Sequence, residues 1–395
     1  MENKGLISPE KFRQSWDDIV VMARFRSYIH APGEIFTFEP MIAYYDKNIY
    51  PDMMLKVLLI SCPNESEKNT KAIDNATSES TINNSTININ TINSNTIIGN
   101  TINNNTMNSS TIIDATINNS TIIDSTIIKI PHIDSQGRIT LPKVTLTFPE
   151  SSTPERYELK LYLINSSSSS NSSNSTNILA TNTYTLYSYP KIPDSVISSA
   201  ASDFTDDPWV TTSASAALSK VREGQSVLLY LKDEENTNSI KGTYCTDFWC
   251  YPMFKSISES MNKPVAVGTL GLSIDDASPA LKAFNTRTYS EPNWYEIVTA
   301  SRSTILDDTS IEPIVATIDN ASRSHRLGLL YEIQIEGTDS YILVCTSDIP
   351  RLITSNVKEA YALHKSLLSY VKDTSKHENA NKITPEMFNG LFTVS

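Results

Sequence analysis

The stretch SVLLYL, Ser226–Leu231, is a short continuous apolar run. Runs of this kind are typical of a strand that is buried on both faces in a parallel sheet. Just before it, Ser213–Glu223 places its apolar residues on one face and is followed by Gly224. This pattern predicts an amphipathic helix with Gly224 as its C-cap.

Further apolar runs follow, and helical patterns separate some of them. The predicted strands are Trp209–Thr211, Val265–Val267, Thr304–Leu306, Ile314–Ile318, Leu327–Ile335 and Tyr341–Cys345. Asn356–Lys372 is the clearest helix, because apolar residues recur every three to four positions and Asn356 with Glu359 resembles a capping box. Strands that alternate with helices predict an α/β domain over 194–375 with a mostly parallel sheet, and then a C-terminal tail, 376–395. An apolar patch in that tail, Met387–Phe392, can dock on the body of the domain.

The first half of the chain has a different pattern. After a polar lead-in, 1–16, short runs rich in β-branched and aromatic residues are separated by turn signals. They are Ile19–Phe25, Ile35–Tyr45, Met53–Ser61, Arg138–Leu141, Lys143–Phe148, Tyr157–Leu163 and Tyr184–Tyr189. About seven short strands without helices predict an immunoglobulin-like β-sandwich over 17–190.

Two low-complexity insertions interrupt this sandwich. The shorter one, Asn165–Thr176, is nearly all Ser and Asn and is expected to be a hairpin loop. The longer one, 64–129, repeats Thr every five residues from Thr81 to Thr126, followed by Ile except at Met107. A period of five is neither helical nor strand-like.

Two interpretations of the longer insertion are open. It is either a disordered, almost uncharged loop or a β-helical solenoid. In the second case it resembles the pentapeptide-repeat proteins, in which the central apolar residue of each pentad points inward. Ten residues would fill such an interior, and Ile122 and Ile127 are the last two of them. Ten pentads are close to the minimum for a stacked core.

The charge composition limits the classes of partner that are expected. The 395 residues carry a net charge of −12, from 44 acidic and 32 basic side chains. Nucleic acid and anionic membranes require basic surfaces, so neither is expected as a partner, whereas a neutral ligand such as a sugar is compatible. No signal peptide and no run of 18 apolar residues is found, so neither secretion nor a membrane-spanning helix is expected, and the compartment stays unassigned.

The cysteines do not form a metal-binding pattern. Cys62, Cys245, Cys250 and Cys345 are scattered without a CxxC spacing, so no metal or other cofactor is expected. Cys345 lies in an apolar run and is expected to be a buried thiol. Cys245 and Cys250 lack the flanking glycines of a nucleophile elbow, and whether they pair is left open.

Other motifs favour structural roles. His325 and His364 are interpreted as surface or core histidines, and Asp307-Asp308 as a solvated turn or helix cap. No catalytic residue is assigned. The aromatic stretch KGTYCTDFWCYPM, Lys241–Met253, is expected to anchor a core or to line a groove.

Within and near that stretch lie the candidate ligand-binding residues. They are Asp247, Trp249, Tyr251 and Trp294. Together they can form a platform on which a sugar stacks, although packing in the core is the competing interpretation.

From Trp209 to Phe392 the sequence resembles the C-terminal region of family 2 glycoside hydrolases, the β-galactosidase-like enzymes. The matching blocks are Val210-Thr211, Arg222–Gly224, Val227–Leu229, Lys241–Tyr244, Thr246–Trp249, Tyr251–Phe254, Lys263–Val265, Val267–Leu272, Pro279–Leu281, Ile305–Asp308, Pro313–Val315, Thr317–Asn320 and Leu343–Cys345. Residues 10–190 resemble the preceding Ig-like module more loosely. The C-terminal domain also resembles an amidotransferase-like domain without its catalytic cysteine elbow.

The resemblance implies an accessory region of such an enzyme. In that family a (β/α)₈ barrel carries the two catalytic carboxylates, one of them in an Asn-Glu dipeptide. Here the dipeptide occurs once, as Asn64-Glu65 at the start of the insertion. A barrel takes roughly 250 residues, and the chain has no stretch of alternating strands and helices of that length. The expected function is therefore a non-catalytic fragment or split subunit that supports a separately encoded glycosidase domain. A free-standing carbohydrate-binding protein is the alternative.

Overall fold

The computed structural model of the protein describes residues 7–62, 121–133, 135–165, 177–244, 256–257, 259–262, 269–320, 323–373 and 381–393. The chain divides into two compact units, Met1–Ser188 and Tyr189–Ser395. Both contain open sheets, and the fold is mixed and rich in β-structure. No helix among the described residues is long and apolar enough to cross a membrane.

The described part of the first unit has one short helix and two β-sheets. Its elements are α1 (Pro9–Arg13), β1 (Ile19–Arg24), β2 (Ile29–His30), β3 (Ile35–Tyr44), β4 (Met53–Cys62), β5 (Thr121–Lys129), β6 (Gly137–Thr140), β7 (Val144–Thr147), β8 (Glu155–Asn165) and β9 (Asn177–Ser188). One sheet has the order β1-β3-β6, with β7 also paired to β3, and the other has the order β2-β9-β8-β4-β5.

The two sheets of this unit share one hydrophobic core. Phe36 and Phe38 of the first sheet lie in the same buried cluster as Leu55 and Val57 of the second. The alternation along the first part of β8 explains how this core forms, because Tyr157, Leu159 and Leu161 are buried while Glu158 and Lys160 between them stay partly exposed. Near the end of the strand both faces are covered, since Tyr162 and Ile164 are buried in a second, smaller cluster. The predicted half-buried strand is therefore confirmed.

The last two pentads of the long insertion belong to the sheet. Thr121–Lys129 forms β5 and pairs antiparallel with β4 over eight registered positions, from Met54 to Ser61. Ile127 is 60% exposed, so the solenoid interpretation, which placed Ile122 and Ile127 in an interior, is wrong for these repeats. The physical reason is that β-branched residues beside an existing strand edge gain a ladder of backbone hydrogen bonds. The other pentads lie outside the described residues.

The Ser/Asn tract joins the two longest paired strands of this unit. β8 and β9 are antiparallel and remain paired as far as Asn165 and Asn177. Asn165 begins the tract and Asn177 follows it, and its residues 166–176 lie outside the described part of the chain. β8 and β9 are therefore paired on either side of the tract as the two strands of a hairpin are.

The second unit combines a nine-stranded sheet with helices. Its described elements are α2 (Asp194–Ala201), β10 (Val210–Thr211), α3 (Ala214–Arg222), β11 (Val227–Tyr230), β12 (Ser239–Lys241), β13 (Gly271–Ile274), α4 (Tyr295–Thr299), β14 (Arg302–Ile305), β15 (Val315–Ile318), β16 (Arg326–Ile335), β17 (Tyr341–Cys345), α5 (Ile349–Thr354), α6 (Lys358–Lys372), β18 (Asn381–Ile383) and α7 (Pro385–Leu391). The strand Val265–Val267, predicted from the sequence, lies outside the described residues.

The sheet of the second unit is mixed, so the prediction of a mostly parallel sheet is wrong. β10, β11 and β17 are parallel neighbours. β16, however, is antiparallel to β14, β15 and β17. The cause for the last pair is a tight connection, 336–340, in which Gly337 has φ +80°. A hairpin of this length joins only antiparallel strands.

The elements around β11 follow the sequence pattern closely. All four residues of β11 are buried. On α3, Ala217, Leu218 and Val221 are buried, and Gly224, with φ +87°, stands just past the end of the helix as predicted.

The start of α6 differs from its prediction. The helix begins at Lys358 after Val357, and no side chain caps its N-terminus. Asn356 has φ +62° and Glu359 is buried, so the predicted capping box is absent. The apolar periodicity placed the helix correctly, but the burial of Glu359 outweighed the local capping signal.

The C-terminal segment is part of the second unit's core. β18 pairs in parallel with β16, and Phe388, Leu391 and Phe392 lie in the same buried cluster as β11 and β17. The apolar patch that the sequence placed at the end of the chain is therefore docked.

Replacing Phe388 with alanine tests this docking. Phe388 is fully buried, so Phe388→Ala should lower the free energy of unfolding by about 3–5 kcal/mol. Met387→Ala is the matched control, because Met387 on the same helix is 46% exposed and should change it by less than about 0.5 kcal/mol. Urea unfolding measures both. Equal, small effects would mean that α7 does not pack on the sheet.

Candidate functional site

Three of the four candidate ligand-binding residues lie outside the described residues. They are Asp247, Trp249 and Tyr251, and the same holds for Cys245 and Cys250. The described start of the aromatic stretch is Tyr244, whose ring stacks on Tyr295 at a centroid distance of 5.7 Å. Burial raises the pKa of Tyr244 to about 12.

Trp294, the fourth candidate, is a core residue. It is 0% exposed, its Nε1 donates a hydrogen bond of 2.8 Å to Thr286 Oγ1, and its ring packs edge-on against Phe284. A sugar needs an open ring face, and this ring has none. The ligand-binding prediction for Trp294 is therefore corrected in favour of packing in the core, because the turn Pro292–Trp294 and α4 direct the ring inward.

Cys345 and His364, which resemble a nucleophile and a base, are buried in the core. Cys345 is fully buried, and burial raises the pKa of its thiol to about 12. Burial also lowers the pKa of His364 to about 4, so its imidazole is neutral at physiological pH. A neutral buried thiol and a buried imidazole do not act as an activated nucleophile with its base.

The Asp307-Asp308 turn has the structural role that the sequence favoured. Asp307 Oδ2 lies 2.7 Å from His325 Nδ1, and its Oδ1 accepts a 2.7 Å hydrogen bond from the Arg326 backbone N–H. The hydrogen bond from His325 is the main reason that the pKa of Asp307 is lowered. These bonds fix the chain where β16 begins.

A crevice of about 460 Å³ lies where parallel strands of the second unit end. Thr212, Leu231 and Ser347, which line it, lie one or two residues after the ends of β10, β11 and β17. In open α/β sheets, ligands bind outside the carboxyl ends of the strands. The volume falls within the range of roughly 300–1,000 Å³ that is usual for small-molecule sites.

Charged side chains dominate this crevice. The cations are Lys232 and Arg351, and the carboxylates are Asp203, Asp233, Glu234 and Asp348. Lys232 Nζ donates to Asp203 Oδ2 at 2.5 Å. The hydrogen bond to Asp203 is the main reason that the pKa of Lys232 is raised, and the charges of Glu234 and Asp348 add to it. Lys232 is therefore a fixed positive charge.

The lining of the crevice also contains a second ion pair. Asp348 caps α5, with its Oδ1 accepting from the Arg351 backbone N–H at 3.2 Å, while Arg351 Nε donates to Asp348 Oδ2 at 3.0 Å. Within the described residues the terminal guanidinium nitrogens of Arg351 make no further hydrogen bond. They are available to a ligand.

An unusual backbone conformation brings Asp203 to Lys232. Asp203 and Phe204 have φ +53° and +55°, the left-handed region that residues other than glycine rarely adopt. Phe204 is buried and stacks on His364 at a centroid distance of 4.4 Å, and His364 Nδ1 shares a 2.8 Å hydrogen bond with the Tyr230 hydroxyl. This stack forms the support beneath the crevice, and strained backbone of this kind often occurs at functional sites.

Sequence reasoning missed Asp203, Lys232, Asp348 and Arg351. The available signal was modest: Lys232 and Asp348 follow shortly after predicted buried strands, where parallel strands present their carboxyl ends. No group of three or more His, Cys, Asp or Glu side chains that could hold a metal ion occurs in the part of the chain that the structure describes.

Comparison with known proteins places most of the second unit in one family model. Residues 209–393 match the model described as a domain of unknown function, DUF8487. No curated protein matches the chain. The match spans β10 to α7 and therefore includes Lys232, Asp348 and Arg351 of the crevice, while Asp203 lies just before it.

The buried His364 predicts a defined pH dependence of stability. Its pKa is lowered from 6.5 to about 4, so the unfolded chain takes up the proton first as the pH falls. The stabilisation from the neutral imidazole is complete above about pH 6.5 and is lost towards about pH 4, with a limit of about 3 kcal/mol. Urea unfolding of the wild type and of His364→Phe across this range measures the loss.

His132→Gln is the control for this experiment, because His132 is exposed. It should keep the wild-type pH dependence. If His364→Phe loses as much stability as the wild type between about pH 6.5 and pH 4, then His364 is not the group responsible.

Proposed function

We propose that this protein is a non-catalytic accessory region of a family 2, β-galactosidase-like glycoside hydrolase, either a fragment or a split subunit. It would consist of an Ig-like sandwich, to which β1–β9 belong, and an amidotransferase-like domain that starts at α2. Its partner would be a separately encoded catalytic barrel, and its ultimate substrate class would be carbohydrate.

The state of Cys345 supports a non-catalytic role most directly. An amidotransferase requires a reactive thiolate at the carboxyl edge of its parallel strands. Cys345 ends β17 at this edge but is fully buried, with a pKa of about 12. At neutral pH such a thiol is almost entirely protonated and cannot reach a substrate.

The arrangement of the first unit supports the sandwich part of the proposal. Two open sheets enclose one core, and strand pairs such as β1–β3 and β4–β8 are antiparallel. This matches the layered architecture of Ig-like domains. Fold likeness alone does not establish a function.

A free-standing carbohydrate-binding protein is the second candidate, and the crevice of the second unit favours it. The crevice has the size of a small-molecule site and displays hydrogen-bonding groups of both signs. Asp247, Trp249 and Tyr251 stay predicted sugar contacts. Trp249→Ala should therefore weaken glycan binding in calorimetry, with Trp16→Ala, a 76% exposed tryptophan of the first unit, as the matched control.

The non-catalytic proposal predicts no hydrolysis of nitrophenyl β-galactoside by the purified chain. The rate should equal that of buffer, because no nucleophile or pair of opposed acids is proposed for it. A rate above buffer that persists through repeated purification and disappears on substitution of a single carboxylate would overturn the proposal.

A further inference from the structure

The carboxylates of the crevice outnumber its cations. Lys232 and Arg351 are already paired with Asp203 and Asp348. The side chains of Asp233 and Glu234 form no hydrogen bond or ion pair within the described residues, and both are exposed. The crevice therefore carries two uncompensated negative charges, and the net charge of −12 on the whole chain adds to the attraction for cations.

The two ion pairs serve a different purpose from the two free carboxylates. An ion pair is neutral overall but keeps unused donors and acceptors in fixed positions. Arg351 has free terminal N–H groups, and the Lys232 ammonium has N–H groups besides the one that it gives to Asp203. These groups can hydrogen-bond the hydroxyls of a ligand without adding net charge.

Part of the remaining lining is apolar. Ala200, Ala201 and Pro350 supply apolar surface beside the charged groups. A cavity of about 460 Å³ has room for a small sugar, but its charged lining is too polar for a purely apolar ligand.

We infer that this crevice binds an amino sugar, a polyhydroxylated ring that carries an ammonium group. The ammonium pairs with Asp233 and Glu234, and the hydroxyls hydrogen-bond Lys232, Arg351 and Asp203. The choice of a sugar rests on the proposed function, whereas the requirement for an ammonium group rests on the charges of the crevice alone.

Calorimetric titration of the full chain with glucosamine tests this inference. N-acetylglucosamine is the matched ligand, because it has the same ring but no charge. Glucosamine should bind at least about tenfold more tightly, a difference equivalent to one charge-assisted contact. Its affinity should also fall as salt is added, since salt screens exposed charges.

The matching variants act on the carboxylates. Asp233→Asn with Glu234→Gln should weaken glucosamine binding about tenfold or more and leave N-acetylglucosamine unchanged. Asp275→Asn with Asp276→Asn, an exposed acidic pair after β13, should change neither affinity. As a control for folding, both double variants should unfold at the same temperature as the wild type in a thermal scan.

Equal affinity for the two sugars, no glucosamine binding, or unchanged binding by the Asp233/Glu234 variant would each overturn the inference. None of these results bears on whether the chain hydrolyses a galactoside. The failure of this inference is therefore distinct from the failure of the non-catalytic proposal.

Discussion

The parallel alignment of β11 between β10 and β17 is the constraint on which the second unit depends. Val227–Tyr230 has no exposed side chain, so this strand is stable only when both of its faces and both of its edges are covered. Because the three strands run in the same direction, the residues after each of them meet at one edge of the sheet. That edge is where Lys232 and Asp348 come together.

The strained segment before β10 shows how the crevice is stabilised. A left-handed conformation costs roughly 1–2 kcal/mol at each residue other than glycine, and Asp203 and Phe204 both adopt it. The Lys232–Asp203 pair is partly exposed, so it offsets only about 0–1 kcal/mol. Burial of the Phe204 ring, worth about 1.5–3 kcal/mol, is the larger compensation. The stack of Phe204 on His364 is thus what holds Asp203 over Lys232.

Much of the fold was predictable, because local pattern and burial agree. The runs around Tyr157 and Leu228 were recognised as strands, since one alternates and the other is continuously apolar. Strand direction was not predictable, because the antiparallel turn at Gly337 decides it through backbone geometry. The strand Thr121–Lys129 was hidden within a repeat, since the edge it joins is distant in sequence.

The candidate site was harder to predict than the fold. An aromatic residue such as Trp294 gives the same sequence signal whether it is buried or faces a ligand, and here the turn before α4 buries it. Asp203 and Lys232 are 29 residues apart and meet only through a backbone conformation that no sequence pattern marks. Charged residues of this kind are usually solvated surface, so their contact becomes visible only in three dimensions.

We propose that the edge formed by β10, β11 and β17 is a binding site. Backbone amide chemical shifts of the labelled full chain, followed during titration with glucosamine, test it most directly. Saturable shifts should be confined to the segments around Asp203, Lys232 and Asp348. Shifts that cluster elsewhere, or saturable binding that leaves these three segments unperturbed, would contradict it.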